Sequence, residues 1–210
     1  MSTLATLKAE IADDMDRDDL TSAIASEINR AIRFYQSRHF YFNETRDATF
    51  TTVASQVWYS EDDDADISQF VDIDFVHITV GSNRYQLRQK DIKQFELLTD
   101  GNASNGQPYC YTYYNRSIGL FVPPDAAYTV RVLGSYMTAA PATDDEADNV
   151  WMTEAFDLIR WRAQSRLYAG KLKDLTTAAT CNAMEADELG RIERETAVRH
   201  KTNRVKAVTF

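Results

Sequence analysis

The sequence predicts an α+β fold in which N- and C-terminal helices form a helical bundle and a small antiparallel β-sandwich or barrel-like module is inserted between them. Three observations carry this expectation. Apolar residues recur at helical spacing at both ends of the chain, they alternate with a period of two through its middle, and an acidic, proline-marked linker separates that middle from the last helices. The domains expected are residues 1–40 and 150–200 for the discontinuous helical part, 41–140 for the β-module, and 201–210 for a C-terminal extension.

The elements follow in order. Leu4, Leu7 and Ile11 lie on one stripe of a short helix over residues 3–15, with Ser2 or Thr3 as its N-cap. The acidic run Asp13–Asp19 ends that helix and caps the next. The second helix carries Leu20, Ile24, Ile28, Ala31 and Tyr35 at helical spacing and runs to about Arg38. The aromatic cluster His39-Phe40-Tyr41-Phe42 then marks entry into the sheet region. Asp47–Thr52 and Gln56–Tyr59 read as strands, Glu61–Asp66 as a polar loop, and Val71–Val80 as a strand whose alternation changes phase between Phe75 and Val76, the signature of a bulge. Arg84–Leu87 is a short strand and Asp91–Leu98 a brief helix.

Residues 106–136 form the most informative block. Tyr109, Tyr111 and Tyr113 alternate, as do Ile118, Leu120 and Val122, and then Tyr128, Val130 and Val132. A half-buried sheet requires this period, because successive side chains point to opposite faces. Pro123 and Pro124 cannot donate ladder hydrogen bonds, so with Asp125 they make a turn joining the later pair of strands. After the linker Ala139–Asn149, Val150–Lys171 reads as one long helix. Met152, Phe156, Ile159, Ala163 and Leu167 form one stripe, and Leu158, Trp161 and Tyr168 a second. Asp174 caps a last helix running to about His200, and residues 202–210 end the chain in a β-prone tail.

Composition excludes several classes. With 44% hydrophobic and 26% charged residues, the chain of 210 residues can bury an ordinary core without staples. Cys110 and Cys181 have no ligand spacing and read as reduced, partly buried thiols. Lys8 and Glu10 interrupt any apolar leader, and no run approaches the ~20 apolar residues of a membrane span. Synthesis in a reducing cytosol and no membrane partner are therefore expected. The net charge of −9 argues against general affinity for nucleic acid. The charge is uneven, however: residues 191–210 hold six basic residues against two acidic ones, so a basic tail follows an acidic body. Such a tail suits an acidic neighbour in an assembly.

No motif points to catalysis. The spacing of Asp62, Asp64 and Asp66 matches the start of an EF-hand loop, but Ile67 and Ile73 stand where that loop needs Gly and Glu. His39, His77 and His200 have no metal-ligand spacing, the glycines are scattered, and no nucleophile elbow occurs. No enzyme activity, cofactor or metal is expected. Tyr109, Tyr111, Tyr113 and Tyr114 fit either a stacking surface for a sugar or single-stranded nucleic acid, or alternate core and rim packing. Trp161 with Arg160, Arg162 and Arg166 gives its helix a basic, aromatic face. That face is either arginine stems laid over the core or a protein interface.

Gly106-x-Pro108-x-x-Tyr111, then Leu120-x-Val122-Pro123-Pro124-Asp125, Tyr128-x-Val130-x-Val132, Tyr136, Pro141, Asn149 and a long helix make an ordered set. Over about residues 3–175 it resembles the head-to-tail adaptor (connector) proteins of tailed bacteriophages. The resemblance implies a structural virion protein at the head-tail junction. Such a protein forms a ring, commonly of twelve copies, beneath the portal protein, extends the DNA channel and presents a surface to the tail or next connector protein. Double-stranded DNA would pass without specific binding, since a ring of acidic subunits repels it. The C-terminal segment, here Lys201–Phe210, would reach towards the portal. The expected subunit or portal interface is thus Arg160, Trp161, Arg162, Arg166, Lys201, Arg204, Lys206 and Phe210. The alternatives are a tail-completion or tail-tube protein and, in a different class, a carbohydrate-binding β-module.

Overall fold

A computed structural model describes residues 2–101 and 104–202, with side chains as far as Arg199. It is α+β and divides into two compact units, one formed by Met1–Asn43 with Thr138–Phe210 and the other by Glu44–Met137.

The first unit is helical. Helix α1 spans Leu4–Met15, and of the two candidate caps Thr3 is used: its hydroxyl accepts the Thr6 N–H while the Thr6 hydroxyl accepts the Thr3 N–H. The acids after it do not cap the next helix as expected. Asp18 and Asp19 lie inside a 3-10 turn, Asp19 pairs with Arg17, and α2 (Thr21–Tyr35) starts without a side-chain cap. Helix α2 stops at Tyr35 because the chain turns there. The Asn43 side chain accepts the Phe40 N–H and donates to the Arg38 carbonyl, fixing the aromatic cluster that follows.

The single long helix expected over Val150–Lys171 is broken. It comprises α4 (Val150–Thr153, capped by Asn149), α5 (Phe156–Leu167) and a π-helical turn over Tyr168–Leu172. No glycine or proline marks the first break, which falls at Glu154, the acceptor of the Tyr41 hydroxyl. Asp174 caps α6 (Leu175–Thr202) as expected, accepting from the Thr176 and Thr177 N–H groups and the Thr177 hydroxyl. The helices share one core around Trp151, which is fully buried. Its ring meets Phe40 and Phe42 edge-on and its indole N–H donates to the Thr138 carbonyl, so the one polar atom of the ring is satisfied.

The second unit is built from two four-stranded sheets. The strands are β1 (Glu44–Thr51), β2 (Trp58–Tyr59), β3 (Phe70–Val80), β4 (Asn83–Gln86), β5 (Arg88–Gln89), β6 (Cys110–Tyr114), β7 (Ser117–Phe121) and β8 (Thr129–Tyr136). One sheet has the order β1-β8-β3-β4 and the other β2-β7-β6-β5. Every pairing is antiparallel except the short parallel pair β5–β6. Phe50, Val76, Val130 and Val132 of the first sheet share a core with Tyr59, Tyr111, Ile118 and Leu120 of the second, which makes the unit sandwich-like.

Three details differ from expectation. Strand β3 has two register shifts against β8, one between Phe70 and Asp72 and one between Ile73 and Phe75, the second just before the expected phase change. Gln56 is outside β2 because Val53–Gln56 turns around the Tyr59 hydroxyl, which takes the Val53 N–H and donates to the Gln56 carbonyl. The Pro-Pro-Asp segment does not close a hairpin. The hairpin is β6–β7, turned by Asn115 and Arg116, both with positive φ. Pro123 and Pro124 instead carry the chain from the second sheet to the first. Strand β7 is apolar on both faces: Ile118 and Leu120 enter the sandwich core, while Phe121 joins Cys110 beneath Phe95 of α3 (Ile92–Thr99).

Candidate interaction surfaces

Helix α5 packs against α1, α2 and α6, so its side chains leave the axis towards carboxylates on three sides. Arg160 holds Asp14 of α1 through Nε at 3.0 Å and Nη2 at 2.7 Å, with Glu10 and Asp157 at 3.4 and 3.6 Å. Its guanidinium lies 4.8 Å from the centre of the Trp161 ring, a cation–π distance. Arg162 turns to the opposite side, where Nη1 lies 2.6 Å from Glu185 Oε1 of α6. The Tyr35 hydroxyl donates to the same Glu185 oxygen, and the Arg162 guanidinium sits 3.4 Å from the centre of the Phe34 ring. Arg166 Nε lies 3.3 Å from Glu27 Oε2 of α2.

The basic face read from the sequence is therefore matched, arginine by arginine, to acids of its own unit. Arg160 and Arg162 are largely covered, while Arg166 stays half exposed. Trp161 is partly buried beneath Arg160. Burial, and then the hydrogen bond to Glu185, pushes the Tyr35 phenol well above its ordinary range. Burial and Glu154 push the Tyr41 phenol up to about 12. Of the remaining candidates, the side chain of Lys201 and all of Arg204, Lys206 and Phe210 lie outside the described residues.

The sequence reading missed Glu185. It is only 8% exposed and stands on the stripe Ala178, Cys181, Glu185, Ile192, the face of α6 turned to the core. A lone carboxylate at a core position, 23 residues after an arginine, was the available signal.

In the β unit the tyrosines divide between core and rim. Tyr111 is buried in the sandwich core, and burial with Asp72 and Asp74 nearby pushes its phenol up to about 12. Tyr113 packs on the same core and its hydroxyl reaches the Ile67 and Phe70 carbonyls, each at 3.1 Å. Tyr109 and Tyr114 remain outside, 48% and 58% exposed, at opposite ends of β6. Alternate core and rim packing is what these side chains do. On the outer face of the first sheet, His77 pairs across the ladder with Arg131 and Gln86. Burial, then the charges of Arg84 and Arg131, lowers its imidazole below the ordinary value.

Cys110 and Cys181 are both buried and unpaired, and burial raises both thiols. Among the described residues no helix is long and apolar enough to cross a membrane.

A family model described as SU10 adaptor protein matches residues 2–206. No curated protein matches the chain.

Proposed function

Because the chain belongs to the SU10 adaptor protein family, a family of bacteriophage structural proteins, we propose that it is the head-to-tail adaptor of a virion, without enzymatic activity. Copies of the chain form a ring, of twelve subunits, under the portal protein. The ring extends the DNA channel and offers the tail its attachment surface.

The match over residues 2–206 carries this reading. Two physical features support it. The net charge of −9 keeps passing duplex DNA from adhering, since DNA affinity rests on basic residues neutralising phosphates. The C-terminal segment carries Lys201, Arg204 and Lys206 with no acidic residue, which offers basic groups to the portal.

Mixing the purified chain with portal rings and weighing the products by mass photometry tests the proposal. The expected product is a portal carrying one further ring of twelve copies. Absence of any complex across assembly conditions overturns it.

A further inference from the structure

Helix α2, the end of α5 with its π-helical turn, and the first turns of α6 enclose a polar groove of about 500 Å³ in the helical unit. Three guanidiniums face it, from Arg30, Arg162 and Arg166, against two carboxylates, Glu27 and Glu185. Glu185 Oε1 and Glu27 Oε1 are already held by hydrogen bonds, while Glu27 Oε2 has no hydrogen-bond partner. Glu185 accepts from Arg162 at 2.6 Å and from the Tyr35 hydroxyl, and Glu27 accepts from Arg30 at 2.6 Å. Arg166 lies 3.3 Å from Glu27 Oε2 without a hydrogen bond to it, so that contact is an ion pair only.

The reverse does not hold. Each guanidinium carries five N–H donors in a planar fork. Arg30 and Arg162 each engage one nitrogen in these hydrogen bonds, and Arg166 engages none. The side chains of Arg30 and Arg166 remain more than half exposed. The groove thus has a surplus of one positive charge and a larger surplus of donors. The Ser165 hydroxyl and the Asn182 carbonyl oxygen, also at the groove, bond each other and do not absorb that surplus.

We infer that this groove receives a carboxylate carried by an acidic segment of a neighbouring protein chain, with Arg166 and Arg30 as its fork-like partners. Duplex DNA fits the groove poorly. Its affinity depends on neutralising several phosphates along a continuous backbone, and here a single surplus charge is recessed in a chain of net charge −9. A carboxylate on a peptide needs only the groove. The chain itself contains such a segment in Glu61–Asp66, where Glu61, Asp62 and Asp63 are exposed, so a second copy carries a suitable ligand. The inference rests on the adaptor reading only in taking the partner to be a protein of an assembly.

Gly170 supplies a clean control. It borders the groove, its φ is not in the left-handed region, and a Cβ built there meets nothing within 4 Å. Gly170→Leu therefore adds bulk at the groove from a position where the first side-chain carbon has open space.

The test uses fluorescence anisotropy of a labelled peptide with the sequence of residues 60–66, the full-length chain, and the same peptide with every acid replaced by its amide. The acidic peptide is expected to bind and the amide peptide to bind at least about tenfold more weakly. Arg166→Gln, Arg30→Gln and Gly170→Leu are each expected to weaken the acidic peptide by about tenfold, with the melting temperature of Gly170→Leu unchanged. No binding of the acidic peptide overturns the inference, as does binding that survives both Arg166→Gln and Gly170→Leu, or displacement by short duplex DNA at lower concentration than by unlabelled peptide. None of these failures touches ring formation on the portal, which is measured separately.

Discussion

Replacing Arg162 by alanine tests whether the arginines of α5 serve the chain's own fold. Arg162 Nη1 lies 2.6 Å from Glu185 Oε1, and the two side chains retain 16% and 11% exposure. Unit charges about 4 Å apart attract by about 4 kcal/mol at an effective dielectric near 20, and desolvation of both groups offsets much of this. Removing one partner alone leaves the other charge buried and uncompensated, which costs about 3–5 kcal/mol in comparable sites. Here Tyr35 still donates to Glu185, so the lower end, about 3 kcal/mol, is expected for Arg162→Ala. The triple change Arg162→Met, Glu185→Leu and Tyr35→Phe removes both charges and the hydroxyl that donates to Glu185, and is expected to lie within about 1 kcal/mol of the parent. Urea unfolding followed by fluorescence of Trp151 and Trp161, both in the helical unit, measures this in a Trp58→Phe background. A cost below about 0.5 kcal/mol for Arg162→Ala, the range of exposed pairs, refutes the reasoning.

The remaining expectations concern the sheet, pH and the tail. A Cβ at Gly134 falls 2.1 Å from the Asp72 carbonyl oxygen, a backbone atom, so Gly134→Ala is expected to destabilise the β unit by about 3 kcal/mol or more; a urea midpoint close to the parent's contradicts this. Because burial and Glu185 raise the Tyr35 phenol above its ordinary value of 10, the folded state keeps a proton that the unfolded chain releases. That contribution is intact below about pH 10 and is lost as the pH climbs above it, so stability falls less steeply there in Tyr35→Phe than in the parent; equal slopes between about pH 9 and 11 remove the assignment. Deleting Lys201–Phe210 is expected to weaken portal binding at least about tenfold while leaving the melting temperature near the parent's, because among the described residues the buried stripe of α6 ends at Ile192. Unchanged portal binding shows that the tail is not the anchor.

The α+β order was legible because its signals are local. Leu4, Leu7 and Ile11 announce their helix by spacing alone, and Asp174 announces its own by lying one residue before it. Alternation through Ile118, Leu120, Val130 and Val132 likewise identified inward-facing residues correctly. Sheet membership was not legible. Strands β7 and β8 carry the same alternation and are separated by a short turn-like segment, yet they belong to different sheets. Period fixes which face of a strand is buried but not which neighbour it pairs with. The break between α4 and α5 was invisible for a related reason: it lies at Glu154 and Ala155, both ordinary helix formers, and coincides with the long-range contact from Tyr41.

The basic face of α5 was legible in composition, but its ion pairing was not. Arg160, Arg162 and Arg166 stood out as a basic helix face, but their partners Asp14, Glu185 and Glu27 come from three other helices, brought close only by folding. Asp14 was expected only in a run that ends one helix and caps the next, and nothing local set Glu27 apart. The groove between α2, α5 and α6 follows from the same packing and has no local signature at all.

The central claim, an adaptor at the head-to-tail junction, is tested most directly by labelling the chain in intact particles. Gold-tagged antibody against it, viewed by electron microscopy, is expected to mark one position per particle, at the vertex where head and tail meet. Label distributed along the tail, or particles that carry none of the chain, contradicts the account.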